Sequence, residues 1–319
     1  MTNPPIGKWL GAMRTHYSVR LAVPAITLML ALGGCGRKAE APKEISQSSV
    51  ATPANPDEER HPLTGEIVKV DTENGLLHVS HDKIPGYMAA MTMEFKVTKG
   101  DLANAKVGQR IRAELVARKG DFYLEKIWPD DAATKAAVEA AAKALAQDTA
   151  MRGKDVYREI GENAPEFTLL DQEGRTVSMS RFRGKQVMLN FIFTRCPIAT
   201  MCPAATQRMM EVQAAAKKAN VVDLELVSVS LDPEYDTPGV LKDYAAVRGI
   251  DTSNFTFLTG PDAAVRHLLA QLGVIREFEG NTIKHSLATV LINEDGRIVH
   301  RVDGSLWQVD DFVERMRKG

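Results

Sequence analysis

Gln186-Val187-Met188-Leu189-Asn190-Phe191-Ile192-Phe193, followed by Thr194-Arg195-Cys196-Pro197-Ile198-Ala199-Thr200-Met201-Cys202-Pro203, is the stretch whose reading decides the fold. Its first eight residues are a dense apolar run, the pattern of a strand covered on both faces. Residues 203–219 then read as a helix, with Pro203 suited to its first turn. A strand that passes through a short loop into a helix brings Cys196 and Cys202 to the helix N-terminus, where the dipole favours thiolate, the form that attacks disulfides and binds metal.

Working outward, residues 223–230 form a second dense run followed by a helix-like stretch. Residues 288–292 and 297–302 form a hairpin around Glu294-Asp295-Gly296. The segment 161–319 is therefore expected to be an α/β domain of thioredoxin type. Asp232 and Asp236 are expected to cap a turn and the helix that begins near Pro238, the alternative being that they touch the cysteine site or a partner's cationic surface. Before this domain, alanine dominates residues 131–151, with Val138 the one large apolar residue before Leu145; residues 131–160 read as an exposed helical connector.

Residues 61–130 carry five short alternating runs, at 65–70, 76–81, 91–97, 110–117 and 122–128, with a primed hairpin turn at Asn74-Gly75. That spacing suggests a small all-β barrel of OB type. Three of the thirteen methionines, Met88, Met91 and Met93, fall within six residues there. Met91, Met93, Phe95 and Val97 share one face of a strand, so barrel core is the plain reading of the cluster.

The amino terminus reads as an address. Lys8, Arg14 and Arg20 precede the uncharged stretch 21–32, too short to span roughly 30 Å of hydrocarbon and suited to a signal-peptide core. It ends in Leu32-Gly33-Gly34-Cys35, which resembles a bacterial lipobox with Cys35 as the lipidated residue. Residues 1–34 are thus expected to be a lipoprotein signal peptide and 35–60, rich in Lys, Glu, Ser, Pro and Ala, a flexible tether. The expected product is an exported lipoprotein, anchored to a membrane by lipid and facing the periplasm. With 40 basic and 41 acidic residues among 319, the chain lacks the basic footprint of a nucleic-acid binder.

Two cysteines in an exported chain can form a purely structural disulfide. The strand-to-helix position, where thioredoxin-like folds do chemistry, argues instead for a redox-active or metal-binding pair. The missing C-x-x-C disfavours a conventional thioredoxin site, and Thr194-x-Cys196 does not fit the T-x-x-C of peroxiredoxins. Met201 is expected to pack rather than ligate.

At this point two families become recognisable. Gly161-x-x-Ala164-Pro165-x-Phe167-x-Leu169, Phe191-Ile192-Phe193-Thr194-Arg195-Cys196-Pro197, Ser230-Leu231-Asp232-Pro233-x-x-Asp236-Thr237-Pro238 and Lys284-His285-Ser286 resemble the Sco/SenC family in order and spacing. The resemblance implies that Cys196, Cys202 and His285 bind one copper ion, as Cu(I) or Cu(II), for delivery to the CuA-bearing subunit of a haem-copper cytochrome c oxidase. His285 precedes an apolar strand, where many thiol oxidoreductases place a cis-proline. The chain departs from the family in having five residues rather than three between the cysteines. His81, Met91 and Met93, with Met88 beside them, resemble the ligand set of the CusF-like copper-binding domain, which implies a Cu(I) site of one imidazole and two thioethers. The tryptophan that covers copper in some members is absent near this motif, where Tyr87 and Met88 stand instead. Together these resemblances imply a membrane-anchored copper metallochaperone. A thiol-disulfide reductase of the oxidase CuA cysteines and a copper-binding sensor or resistance protein are the alternatives.

Overall fold

The run at 186–192 is a strand buried at every position, and everything that positions the cysteines is built around it. A computed structural model describes residues 58–280 and 282–317. The chain runs β1 (Glu58–Asp71), β2 (Leu76–His81), β3 (Met91–Lys96), α1 (Lys99–Asn104), β4 (Arg110–Arg118), β5 (Asp121–Pro129) and α2 (Ala132–Arg152). It continues with β6 (Thr168–Asp171), β7 (Thr176–Ser178), β8 (Gln186–Ile192), α3 (Cys202–Lys218), β9 (Leu224–Ser230), α4 (Pro238–Val247) and β10 (Phe255–Thr259). It closes with α5 (Asp262–Gln271), β11 (Arg276–Glu279), β12 (Thr282–His285), β13 (Ala288–Ile292), β14 (Ile298–Asp303) and α6 (Val309–Met316).

The seven-stranded sheet has the order β14-β13-β8-β9-β10-β6-β7. β8 runs parallel to β9 through the α3 crossover and antiparallel to β13. The unit β8-α3-β9 followed by the hairpin β13-β14 and α6 is the thioredoxin-like arrangement expected for 161–319. Because β8 and β9 lie between other strands and beneath helices, both are buried at every position, and their polar residues pair inside the sheet, Ser228 donating to Asn190 Oδ1 at 2.6 Å. The cysteines sit where β8 ends.

In the N-terminal part, five strands close into a barrel of order β1-β2-β3-β5-β4, with β1 pairing to both β2 and β4. Leu63, Ile67, Leu77, Val79, Phe95 and Leu115 fill its interior. β1 starts at Glu58, inside the segment expected to be tether, and the reason is ionic. Arg60 reaches Glu58, Glu114 and Glu125 at 2.8–2.9 Å, and Arg118 bonds Glu58 at 2.6 Å, so the charged end of β1 is stitched across the sheet to β4 and β5.

The connector is exposed over most of its surface but docks along one stripe. In α2, Val138 is buried with Trp128 of β5 and Leu170 of β6, and Leu145 joins the core of the sheet. Gln271 of α5 donates to Asp148 of α2 at 2.8 Å. A second contact between barrel and sheet is made by α1, which crosses α4 at Gly100 and Gly239. A Cβ on Gly239 would stand 2.0 Å from Asp101 Oδ1, and one on Gly100 would stand 2.1 Å from the Gly239 carbonyl oxygen. Barrel and sheet thus belong to one compact unit.

The expected signal peptide 1–34, the lipidation residue Cys35 and the tether up to residue 57 lie outside the described residues. Among the described residues no helix is long and apolar enough to cross a membrane.

Candidate metal centres

β8 ends at Ile192, and the loop that follows is held by buried carboxylates on the far side of β9. Thr194 donates its backbone N–H to Asp236 at 3.1 Å and also its hydroxyl to that carboxylate, which accepts from Ser230 at 2.6 Å as well. Asp232 accepts from Arg195 at 2.6 Å, and the Arg195 guanidinium lies over the Tyr235 ring. Asp236 and Asp232 are both buried, and the N-cap position of α4 belongs to Thr237, which makes no side-chain cap bond. Their role as helix caps is therefore corrected: they anchor the two residues that precede Cys196. Burial pushes the Asp236 carboxyl up to about 7.

Cys202 is the first residue of α3, with Pro203 next, as expected. Its thiol, however, is buried, and burial pushes its pKa up, outweighing the helix terminus. Cys196 is partly exposed, and both cysteines are free. The asymmetry gives the pair an accessible thiol and a sheltered one.

His285 closes β12, the second strand of a two-stranded hairpin with β11. Arg276, opposite His285 in that hairpin, donates to the Leu231 carbonyl at 3.0 Å and to Asp262 at 2.6 Å, fastening the hairpin to the end of β9. His285 Nδ1 lies 3.0 Å from the Ser286 carbonyl oxygen, which can only accept, so Nδ1 carries the proton and Nε2 presents its lone pair. Nε2 faces Cys202 Sγ at 3.6 Å, and Phe193 stands edge-on to the ring. Burial lowers the His285 pKa, which keeps the imidazole neutral and able to ligate. The two sulfurs and one histidine nitrogen lie within 4.8 Å of one another. The five-residue loop thus still brings the cysteines together. Two soft thiolates and an imidazole fit copper in either oxidation state.

In the barrel, β2 and β3 pair so that His81 stands opposite Met91 and Val79 opposite Met93, placing all three candidate ligands on one face. His81 is buried, and its Nδ1 donates to the Asp82 carbonyl at 2.8 Å. His81 Nε2 is buried with no hydrogen-bond partner among the described residues. His61 Nε2 and His78 Nε2 share that condition, but their cross-strand partners are Leu115 and Glu94 rather than a methionine. Met91 is 49% exposed, so the plain core reading fails for it. Met88 lies on the bridge Ile84–Met88 and packs on the barrel core, while Tyr87 stacks on His61 at 3.8 Å.

Of the positioning residues, Asp236 stood out in the sequence as part of a motif but not for this role, and Arg276 carries little sequence signal. An aspartate before Thr-Pro reads as a cap, and Arg276 belongs to a short, mostly exposed strand without periodicity.

The SCO1/SenC family model matches residues 157–318, and that of the copper binding periplasmic protein CusF matches residues 60–129. The SCO1 protein homolog of Bacillus subtilis is 30% identical over 159 residues, 48% of this chain and 79% of that protein. A Haemophilus influenzae protein named as the peroxiredoxin bcp is 32% identical over 146 residues, 45% of this chain and 85% of its own. The crystal structure of a SCO1/SenC family lipoprotein from Bacillus anthracis aligns at 25% identity and a TM-score of 0.47, covering 51% of this chain and 98% of that one. With its family match spanning half the chain, the protein belongs to the SCO1/SenC family.

Proposed function

We propose that this protein is a membrane-anchored copper metallochaperone that delivers copper to the CuA centre of a haem-copper cytochrome oxidase. The observation that carries the proposal is the convergence of Cys196, Cys202 and His285 within 4.8 Å, with the ring nitrogen that faces the sulfurs left as a lone pair. Binding displaces the thiol protons, so the high pKa of Cys202 costs affinity that metal–thiolate bonding must exceed. Partly exposed Cys196 is the ligand a partner's thiolates can reach first, and copper leaves by exchange of ligands rather than by dissociation into solvent.

The barrel, read as OB type on its strand order and the helix between β3 and β4, is the second copper module. His81, Met91 and Met93 hold Cu(I) there without a reactive thiol. The domain plan is signal peptide 1–34, tether from 35 up to the start of β1 at Glu58, barrel to 130, connector 131–160 and Sco-like domain 161–319, with Cys35 lipidated and the protein facing the periplasm. The unequal burial of Cys196 and Cys202 favours a second reading, a thiol-disulfide reductase in which Cys196 attacks and Cys202 resolves.

The test mixes copper-loaded protein with the metal-free soluble CuA-bearing domain of an oxidase. Appearance of the acceptor's CuA absorption, abolished by Cys196→Ser, is the expected result. Reduction of the acceptor's oxidised cysteine pair by metal-free protein, without any copper transfer, would replace this reading with the reductase.

A further inference from the structure

The loop between Cys196 and Cys202 is joined to the segment that carries His285 by two residues, Gly304 and Ser305, just after β14. Ser305 Oγ donates to the Thr200 carbonyl at 2.8 Å, two residues before Cys202. Gly304 N–H donates to the Leu287 carbonyl at 2.8 Å, two residues after His285. Gly304 has φ +85°, a left-handed conformation in which a side chain would be strained, so the dipeptide can turn from one segment to the other. The Ser305 carbonyl accepts from Arg208 Nε at 3.0 Å, and Arg208 lies on α3 with its guanidinium over the Trp307 ring. One short segment therefore touches the cysteine loop, the helix that begins with Cys202 and the histidine segment.

We propose that Ser305 is a positioning residue of the metal centre, acting through the Thr200 carbonyl to hold the five-residue cysteine loop at the spacing that lets both sulfurs and His285 meet. The physical need is specific to a wide loop. Among the interior loop residues, 197–200 lie outside any helix or strand, and the local turn Met201 N–H to Ile198 carbonyl, 3.0 Å, leaves the Thr200 carbonyl free for an external donor. Ser305 supplies that donor. The inference rests on the copper reading of the site, but its geometry concerns the thiols as well.

The test uses the full-length reduced protein as wild type, Ser305→Ala, Ser305→Thr and Leu306→Ala, a highly exposed neighbour. Cu(I) affinity is measured by competition with a chromogenic chelator, and disulfide closure is followed on the metal-free protein after adding oxidised glutathione. In closure, one protein thiolate attacks the glutathione disulfide and releases a glutathione thiolate. The second protein thiolate then displaces the other, so the protein loses two electrons and two protons to form the Cys196–Cys202 bond. Ser305→Ala is expected to lower Cu(I) affinity about tenfold, the lower end of the loss on removing a residue that orients metal ligands. It is expected to slow closure about fivefold, the effect of one lost neutral hydrogen bond. Ser305→Thr restores both, because it keeps the hydroxyl, and Leu306→Ala changes neither. Closure at the wild-type rate in Ser305→Ala would overturn the proposal whether or not copper binds. Failure of wild type to bind Cu(I), with closure still slowed by Ser305→Ala and restored by Ser305→Thr, would sink the copper reading and leave Ser305 as a positioning residue of a thiol pair.

Discussion

At the scale of single residues, the protein prepares two histidines in the same way. His81 and His285 each bond Nδ1–H to the carbonyl of the next residue, which leaves the Nε2 lone pair available. Cys196 and Cys202 stood out in the sequence because they close a strand-to-helix loop, whereas His285, 83 residues beyond Cys202, entered through the family resemblance. The groups that hold the cysteine loop were harder to read, because aspartates beside a helix start have a simpler explanation as caps. Asp236 shows the difference. It accepts from both donors of Thr194 and from Ser230 in a fully buried setting, and each buried donor left unpaired costs about 1–3 kcal/mol. Asp236→Ala is expected to lower the unfolding free energy by about 3 kcal/mol in urea titration. It should also weaken Cu(I) binding, since Thr194 no longer fixes the loop. Unchanged stability would show that the network contributes nothing beyond packing.

At the scale of elements, the dense apolar strands β8 and β9 and the hairpin β13-β14 were readable because a strand covered on both faces has a distinctive composition. α1 was not. It is one short turn of helix containing Gly100, Asp101 and Asn104, too short and too polar to show a 3.6-residue period. The glycines at its crossing with α4 matter because the backbones approach closely, which only a three-dimensional view reveals.

That crossing also carries a buried carboxyl. Burial, with Asp243 nearby, pushes Asp101 up to about 7 from an ordinary value of 3.8. Between those two pH values the native state holds a proton that the unfolded chain has released, so this group makes stability fall as pH rises from about 4 to about 7. Asp236 acts in the same direction. Asp101→Asn is expected to reduce the loss of urea stability between pH 5 and pH 7.5, and an unaltered pH slope would refute the assignment.

At the scale of the whole molecule, the order of the parts was visible in composition, but the attachment between them was not. An alanine-rich segment reads as a free connector because its few apolar residues look too sparse to dock. Val138 and Leu145 suffice because they meet Trp128, Leu170 and the core of the sheet at separate points. The barrel and the thioredoxin-like domain are therefore held as one body through α2 and through α1 on α4, and both candidate copper centres belong to it.

The measurement closest to the central claim is the copper stoichiometry of the reduced, anaerobic protein after removal of weakly held metal, with wild type compared to Cys196→Ser/Cys202→Ser, His285→Ala and Met91→Ala/Met93→Ala. Two Cu(I) equivalents are expected in wild type and one in each double variant. The Cu(II)–thiolate absorption is expected to disappear in both the cysteine variant and His285→Ala while surviving loss of the methionines. Full retention of copper and of that absorption in Cys196→Ser/Cys202→Ser would contradict the account.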